Sequence, residues 1–172
     1  MGFQERLEEM LEKTGHAEDG REIFRLRDTA YKWSTYPVKK CFDPVLEKLF
    51  RKGFEFSERR EQEMRITCDE ILLNSYVACE EREDLFVEYI VYFGTKGIVV
   101  HVKDEGEGFD HKQKLTDTRE KPNQPTDDTL LYVIDVPGNT GLLCLLRFTN
   151  DFEYNKKGNE VIMRFDLPMT AC

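Results

Sequence analysis

Apolar residues follow two different periods along this chain, and the change of period separates predicted helices from predicted strands. In residues 3–13 and again in residues 57–79, apolar side chains recur every three or four positions, which predicts two amphipathic helices. Residues 85–93 and 97–103 are instead rich in β-branched and aromatic residues and flank a Gly-Thr-Lys-Gly turn. This second pattern predicts a β-hairpin that follows the long helix.

Three other segments carry weaker patterns. Residues 21–35 are mixed and predict a helix that runs into a strand near Trp33. Asp43 and Pro44 provide a cap and a first helical residue, so they predict the start of a short helix. Residues 110–129 are polar and aperiodic, which predicts a long loop of the kind that is usually functional or disordered.

The last part of the chain returns to regular patterns. An apolar run at residues 130–136 precedes a predicted apolar helix at residues 141–148, and residues 152–155 and 160–167 predict a final hairpin. This order of elements predicts a two-layer α/β sandwich with a mixed, mainly antiparallel sheet. The extra N-terminal helix is expected to dock within the chain or across a dimer.

Composition narrows the functional classes. The chain has 172 residues, of which 40% are hydrophobic and 34% charged, so it is apolar enough to form one compact core. Its net charge is −9. Non-specific nucleic-acid binding and attachment to an anionic membrane both need net positive charge, so both are disfavoured.

The cysteines and the chain start indicate a cytoplasmic protein. The five cysteines are odd in number and include no CxxC pair, which favours free thiols over disulfides or a zinc site. The first residues carry charges throughout, unlike a signal peptide. The longest apolar runs are about six residues, far below the ~20 needed to span a membrane.

Glu70 and Asn74 form the first candidate functional motif. They are four residues apart within the predicted long helix, so both side chains lie on one face. A carboxylate and a carboxamide suit a Mg²⁺ site or a general base beside one. The same spacing is also common in pairs that simply face solvent.

Asp104, Gly106 and Gly108 form the second motif, directly after a predicted strand. Alternating glycines let the backbone approach a ligand closely, and Asp104 could accept a hydrogen bond from an exocyclic amine. An ordinary acidic turn is the alternative.

The third motif is Thr140-Gly141-Leu142 at a predicted helix start, where free N–H groups can bind an anion. Its alternative is a plain loop-to-helix junction.

The order and spacing of these motifs resemble those of the GHKL family of ATP-binding domains. Glu70 and Asn74 resemble the family's N box, Asp104-x-Gly106-x-Gly108 its first glycine box, and Thr140-Gly141-Leu142 its second. The resemblance covers residues 33–167. It implies a Bergerat-type fold, with a lid at about residues 111–137. On this basis residues 1–30 are a helical extension, and residues 31–172 are the ATP-binding domain.

Within that family, the sequence is most similar to the anti-sigma-factor serine kinases of bacterial partner switching. The stretch from Gly141 to Arg147, then Asp151, Tyr154 and the Gly-Asn-Glu-Val run starting at Gly158, follows their C-terminal pattern. The resemblance implies two protein partners, a STAS-type anti-anti-sigma protein as substrate and a sigma factor. It also allows a homodimer.

The resemblance also implies a role for each site residue. Asn74 would hold Mg²⁺ on the ATP phosphates, and Asp104 would bind the adenine amino group. Glu70 would orient or deprotonate the attacking serine hydroxyl. The glycines of the first box would admit base and sugar, and the second box would offer N–H groups to the phosphates: Gly106, Gly108, Thr140, Gly141 and Leu142. Phosphoryl transfer depends mostly on such positioning.

Two departures from the family pattern leave other functions open. Ala78 stands where the N box usually has histidine, and Asn139 replaces the first glycine of the second box. Both favour the main alternative, a catalytically degenerate domain that regulates by binding proteins. The catalytic domain of a histidine kinase is less favoured, since no His-Glu phosphoacceptor helix precedes the domain. The last alternative is a soluble α/β domain whose glycine motifs are coincidental.

Overall fold

The computed structural model describes residues 1–16, 22–29, 41–79, 82, 84–120, 126–128 and 140–167. Five helices and five strands of four or more residues lie in these ranges. In chain order they are α1 (Phe3–Lys13), β1 (Glu22–Thr29), α2 (Asp43–Arg51), α3 (Glu58–Cys79), β2 (Phe86–Phe93), β3 (Gly97–Asp104), α4 (His111–Glu120), α5 (Thr140–Phe148), β4 (Asp151–Tyr154) and β5 (Glu160–Asp166).

The strands form one sheet in the order β1-β2-β3-β5-β4. Every strand pairing between described residues is antiparallel. The central strand β3 is buried along almost its whole length because helices cover both of its faces. The strand ends at Asp104, so this carboxylate lies at one edge of the core.

One face of the sheet carries α2, α3 and α5. Along α3 the buried side chains include Met64, Cys68, Ile71 and Leu72, which join the main core with residues of β2, β3 and β5. Because α5 packs along α3, the N-terminus of α5 lies beside the second half of α3.

The opposite face carries α1. Leu7, Met10 and Leu11 of α1 form a separate apolar cluster with Val99 of β3 and Ile162 of β5. An ion pair also connects α1 to β4. The Arg6 guanidinium donates hydrogen bonds to both carboxylate oxygens of Asp151, at 2.7 Å each. The N-terminal helix therefore docks within the chain.

The predicted elements are largely confirmed. The α/β fold class and the helices at residues 3–13, 43–51, 58–79 and 140–148 match the structure, as do both predicted hairpins. The predicted cap of α2 was wrong by one residue, because Phe42 is the N-cap and Asp43 begins the helix.

Two larger predictions were wrong. Residues 22–29 form the edge strand β1, where a helix was expected, because their backbone pairs with β2. Part of the aperiodic segment is helical, since α4 begins at His111. Asp110 accepts a hydrogen bond from the Gln113 N–H there and so caps the helix, which needs no apolar stripe. Trp33 and the run 130–136 lie outside the described residues.

The described part of the chain contains no helix that is both long and apolar enough to cross a membrane. Four of the five cysteines are buried free thiols: Cys41, Cys68, Cys79 and Cys144. For these four the prediction of free thiols is confirmed, and Cys172 lies outside the described residues.

Candidate functional site

Two of the predicted motifs meet where the N-terminus of α5 approaches α3. A Cβ on Gly141 would lie 2.5 Å from Nδ2 of Asn74 and 3.6 Å from Cβ of Glu70. Glu70 and Asn74 are one turn apart on α3, so both lie next to the N-terminal end of α5. Asn74 is exposed, whereas Glu70 is only 8% exposed. A side chain at position 141 would therefore displace the Asn74 amide from its present position.

Asp104 lies deeper, at the end of β3, and is 6% exposed. Its Oδ1 accepts a hydrogen bond of 2.9 Å from the Gly106 N–H, which holds the carboxylate in place. Burial raises the pKa of Asp104, whereas the Gly106 N–H, the Ser75 hydroxyl and the Lys157 ammonium oppose that shift. Asp104 is therefore a fixed hydrogen-bond acceptor in an environment of low polarity.

A cavity of about 280 Å³ opens beside these groups, between α3 and the sheet. The predicted site residues that line it are Asn74, Asp104, Gly108 and Leu142. Its apolar walls include Ile71, Val102 and Val161, all largely buried. An apolar space with the Asp104 carboxylate at its edge suits a planar heterocycle that carries an amino group. The second carboxylate among the lining residues, that of Glu160, is paired with His101 at 2.8 Å.

The turn between β4 and β5 closes the cavity on the side of the first glycine box. The Phe109 N–H donates to the Lys157 carbonyl at 3.1 Å, and Nδ2 of Asn159 donates to the Asp104 carbonyl at 2.6 Å. Gly108 has a φ of +78°, and a Cβ there would collide with the Lys157 carbonyl oxygen. The two loops therefore interlock through their backbones.

Three aromatic rings continue this wall. Tyr154 lines the cavity. Its ring packs edge-on against Phe109, with ring centroids 5.3 Å apart, and stacks on His111, with ring centroids 5.2 Å apart. Lys114 of α4 also lines the cavity, and its ammonium lies 5.1 Å from the Phe109 ring centre. The cavity lining therefore includes one lysine ammonium, which could pair with a negatively charged group of a ligand.

The remaining predicted site residues lie around the cavity and are not among its lining residues. Glu70, Thr140 and Gly141 lie at the α3–α5 junction, and all three are buried. Gly106 is buried against α3, where a Cβ would lie 2.9 Å from the Ala78 carbonyl oxygen. Of the basic residues in the predicted lid, Lys112 and Arg119 are exposed, and Lys121 lies outside the described residues.

Sequence reasoning missed several residues of the site. Ser75, Phe109, Tyr154, Lys157 and Asn159 all line the cavity or hold Asp104 and its loop. Tyr154 and Asn159 belong to the C-terminal pattern that carried the family resemblance, so a signal for them was present. The pattern indicates the family but does not by itself show that these two side chains line the site.

Comparison with known proteins identifies the family. A family model described as the histidine kinase-like ATPase domain matches residues 43–165, which is most of the chain. The chain belongs to the histidine kinase-like ATPase family. A search of curated proteins gave no significant match. The GHKL resemblance is therefore confirmed at the level of the family. As a histidine kinase-like ATPase domain, the chain is of the ATP-binding type.

The residues of this histidine kinase-like ATPase domain fit an adenine nucleotide. The buried Asp104 carboxylate matches the exocyclic amino group, and the apolar walls match the ring. The space that Gly141 leaves beside Asn74 adjoins the N-terminus of α5, where helix N–H groups favour phosphate. Asn74 is a suitable oxygen ligand for Mg²⁺, which prefers such donors alongside phosphates and water.

Substitution of Gly108 by alanine is expected to lower the free energy of unfolding by about 2–4 kcal/mol. The strain of a side chain at positive φ contributes ~1–2 kcal/mol, and displacement of the Lys157 carbonyl adds to it. Gly53→Ala is the matched control, because Gly53 has a φ of +80° and no atom within 4 Å of its added Cβ. Urea denaturation measures both; equal losses would contradict the interlocked loops.

Proposed function

We propose that this protein is an anti-sigma-factor-like serine kinase of the cytoplasm. It binds Mg²⁺-ATP, phosphorylates a STAS-type anti-anti-sigma protein and sequesters a sigma factor. The observation that carries the proposal is the meeting of Glu70 and Asn74 with Gly141 at the N-terminus of α5. A glutamate, an asparagine that suits Mg²⁺ and a helix N-terminus that suits an anion thus lie within one turn of α3, which supports the proposal.

Each residue then has a chemical role. Asp104 accepts a hydrogen bond from the adenine amino group and fixes the base. The backbone N–H groups of Thr140, Gly141 and Leu142 bind the phosphates. Asn74 would hold Mg²⁺, and the chemistry that the ion would supply there is neutralisation of charge on the phosphates.

Glu70 acts at the serine of the partner protein. Its carboxylate takes the proton from the serine hydroxyl as the serine oxygen bonds to the γ-phosphorus. The bond from that phosphorus to the bridging oxygen breaks, and ADP leaves. Because Glu70 is buried, its carboxylate is shielded from bulk water, which favours directed proton transfer over solvation.

The second candidate is a degenerate domain that binds proteins without phosphoryl transfer. Ala78 favours it, because the side chain that the N box usually places there is absent and Ala78 packs directly against Gly106. In this case ATP binding remains and regulation depends on docking alone. Retention of both Glu70 and Asn74 favours the kinase.

Radiolabelled phosphoryl transfer separates the two candidates. The purified chain is incubated with γ-labelled Mg²⁺-ATP and each STAS-domain protein encoded in the same genome. We expect label on a serine of one of these proteins, with no label when Mg²⁺ is removed by chelation. ATP binding without transfer to any STAS-domain protein would leave the degenerate domain as the better account.

A further inference from the structure

The Lys157 side chain contacts the first glycine box from outside the cavity. Its Nζ donates a 2.7 Å hydrogen bond to the carbonyl of Gly106, the same residue whose N–H donates to Asp104. Lys157 thereby closes a short chain of contacts that runs from the β4–β5 turn to the Asp104 carboxylate. None of the three sequence motifs includes this lysine.

Among the described residues, Lys157 is also the charged residue that acts electrostatically on the Asp104 carboxylate. Facing Asp104 from α3 are the Ser75 hydroxyl and the Cys79 thiol, and from β4 the Tyr154 phenol, all of which are neutral at physiological pH. The acids of the same loop, Glu105 and Glu107, are exposed. Two further charged residues, Lys114 of α4 and Glu160 of β5, line the same cavity, and Glu160 is paired with His101 at 2.8 Å. Lys157 is the cation that lowers the pKa of Asp104.

We infer that Lys157 is a positioning residue for Asp104: it fixes the glycine loop and keeps the carboxylate ionised, and so sets the acid limit of nucleotide binding. The inference rests on the proposed ATP site. An ionised carboxylate offers an acceptor to the adenine amino group, whereas a protonated one replaces that acceptor with a hydroxyl.

The sign of the expected pH effect follows from the two opposing influences. Burial raises the pKa of Asp104, and the Lys157 ammonium lowers it. Removing the ammonium therefore raises that pKa further, so the carboxylate becomes protonated at a higher pH. Nucleotide affinity should then begin to fall at a higher pH than in the wild type.

Calorimetric titration of Mg²⁺-ATP into the full chain between pH 5 and pH 8.5 tests this inference. The variants are Lys157→Met, Lys157→Gln, which retains a hydrogen-bond donor without charge, and Lys157→Arg, which retains both. The matched control is Lys156→Met, an exposed lysine in the same turn. Dividing each variant's Kd by the wild-type Kd at the same pH cancels the titration of ATP itself.

We expect this Kd ratio to increase about three- to fivefold from the alkaline to the acid end for Lys157→Met and Lys157→Gln, the size of one partly exposed charge pair. Lys157→Arg and Lys156→Met should give a flat ratio near one. A ratio that is raised equally at every pH would reduce Lys157 to a structural role and overturn the inference. So would a Lys157→Gln profile that matches the wild type.

Failure of the proposed function gives a different result. In that case the wild-type chain itself shows no heat of binding at any pH, and no ratio can be formed. The thermal midpoint of each ATP-free variant, compared with that of the wild type, verifies that the fold is intact. Lys157→Gln keeps the test valid if Lys157→Met does not fold.

Discussion

Asp104→Asn is expected to weaken Mg²⁺-ATP binding at least about tenfold, the usual loss when a charge-assisted hydrogen bond is removed. The wild-type carboxylate has two accepting oxygens, one for the Gly106 N–H and one for the adenine amino group. The asparagine amide has one oxygen and one NH₂ group. Whichever way it is turned, a donor faces a donor.

The same substitution should leave the ATP-free fold intact. Burial raises the pKa of Asp104 in the folded protein, so at neutral pH the charged carboxylate is less favourable there than in the unfolded chain. A neutral side chain therefore does not lower stability on this account. We expect the ATP-free thermal midpoint of Asp104→Asn to equal or exceed that of the wild type.

Calorimetry and thermal denaturation measured on the same samples test this prediction. Glu107→Gln is the matched control, because Glu107 is an exposed acid of the same loop. It should bind Mg²⁺-ATP like the wild type. If Asp104→Asn bound ATP equally well while folded, Asp104 would not be the adenine-binding residue.

Glu70→Gln is expected to lower the rate of phosphoryl transfer about a hundredfold or more, the range attributed to a general base. Glutamine has nearly the same shape as glutamate and fits the buried position beside Gly141, but it cannot take the serine proton. Mg²⁺-ATP affinity should be unchanged, because glutamine keeps the size of the side chain and Glu70 acts on the serine of the partner protein rather than on the nucleotide.

Single-turnover transfer from γ-labelled ATP to the STAS-domain substrate measures this rate. Glu61→Gln is the control, since Glu61 lies on the same helix and forms a surface ion pair with Arg65. Wild-type rates are expected for that control. A Glu70→Gln variant that transferred phosphate at the wild-type rate would show that proton abstraction does not involve Glu70.

The sequence predicts those parts of the fold that local patterns determine. The apolar stripe of α1, the long stripe of α3 and the hairpin of β2 and β3 all depend on neighbouring residues, and all are confirmed. The edge strand β1 was missed because its structure depends on pairing with β2, more than fifty residues later. Within β1 the exposed Arg25 and Arg27 alternate with Phe24 and Leu26, a pattern too short to outweigh the mixed surroundings.

The site was predictable to the extent that its chemistry needs unusual residues. Asp104, Gly106 and Gly108 are marked by glycines at a strand end, and Gly141 by its helix start. Lys157 carries no such mark, and Asn159 is marked only as part of the C-terminal pattern, which assigns it no role in the site. Their contacts arise because a hairpin turn some fifty residues further on meets the glycine loop, which only the three-dimensional fold reveals.

The most direct test of the account compares Mg²⁺-ATP with Mg²⁺-GTP in a thermal denaturation of the wild-type chain. Adenine presents an amino group to Asp104, whereas guanine presents a carbonyl oxygen at the equivalent position, which a carboxylate repels. We predict that ATP at one hundred times its Kd stabilises the fold by about 2.7 kcal/mol, and that GTP at the same concentration gives a much smaller shift. No shift with millimolar Mg²⁺-ATP, or an equal shift with GTP, would contradict an adenine site at Asp104.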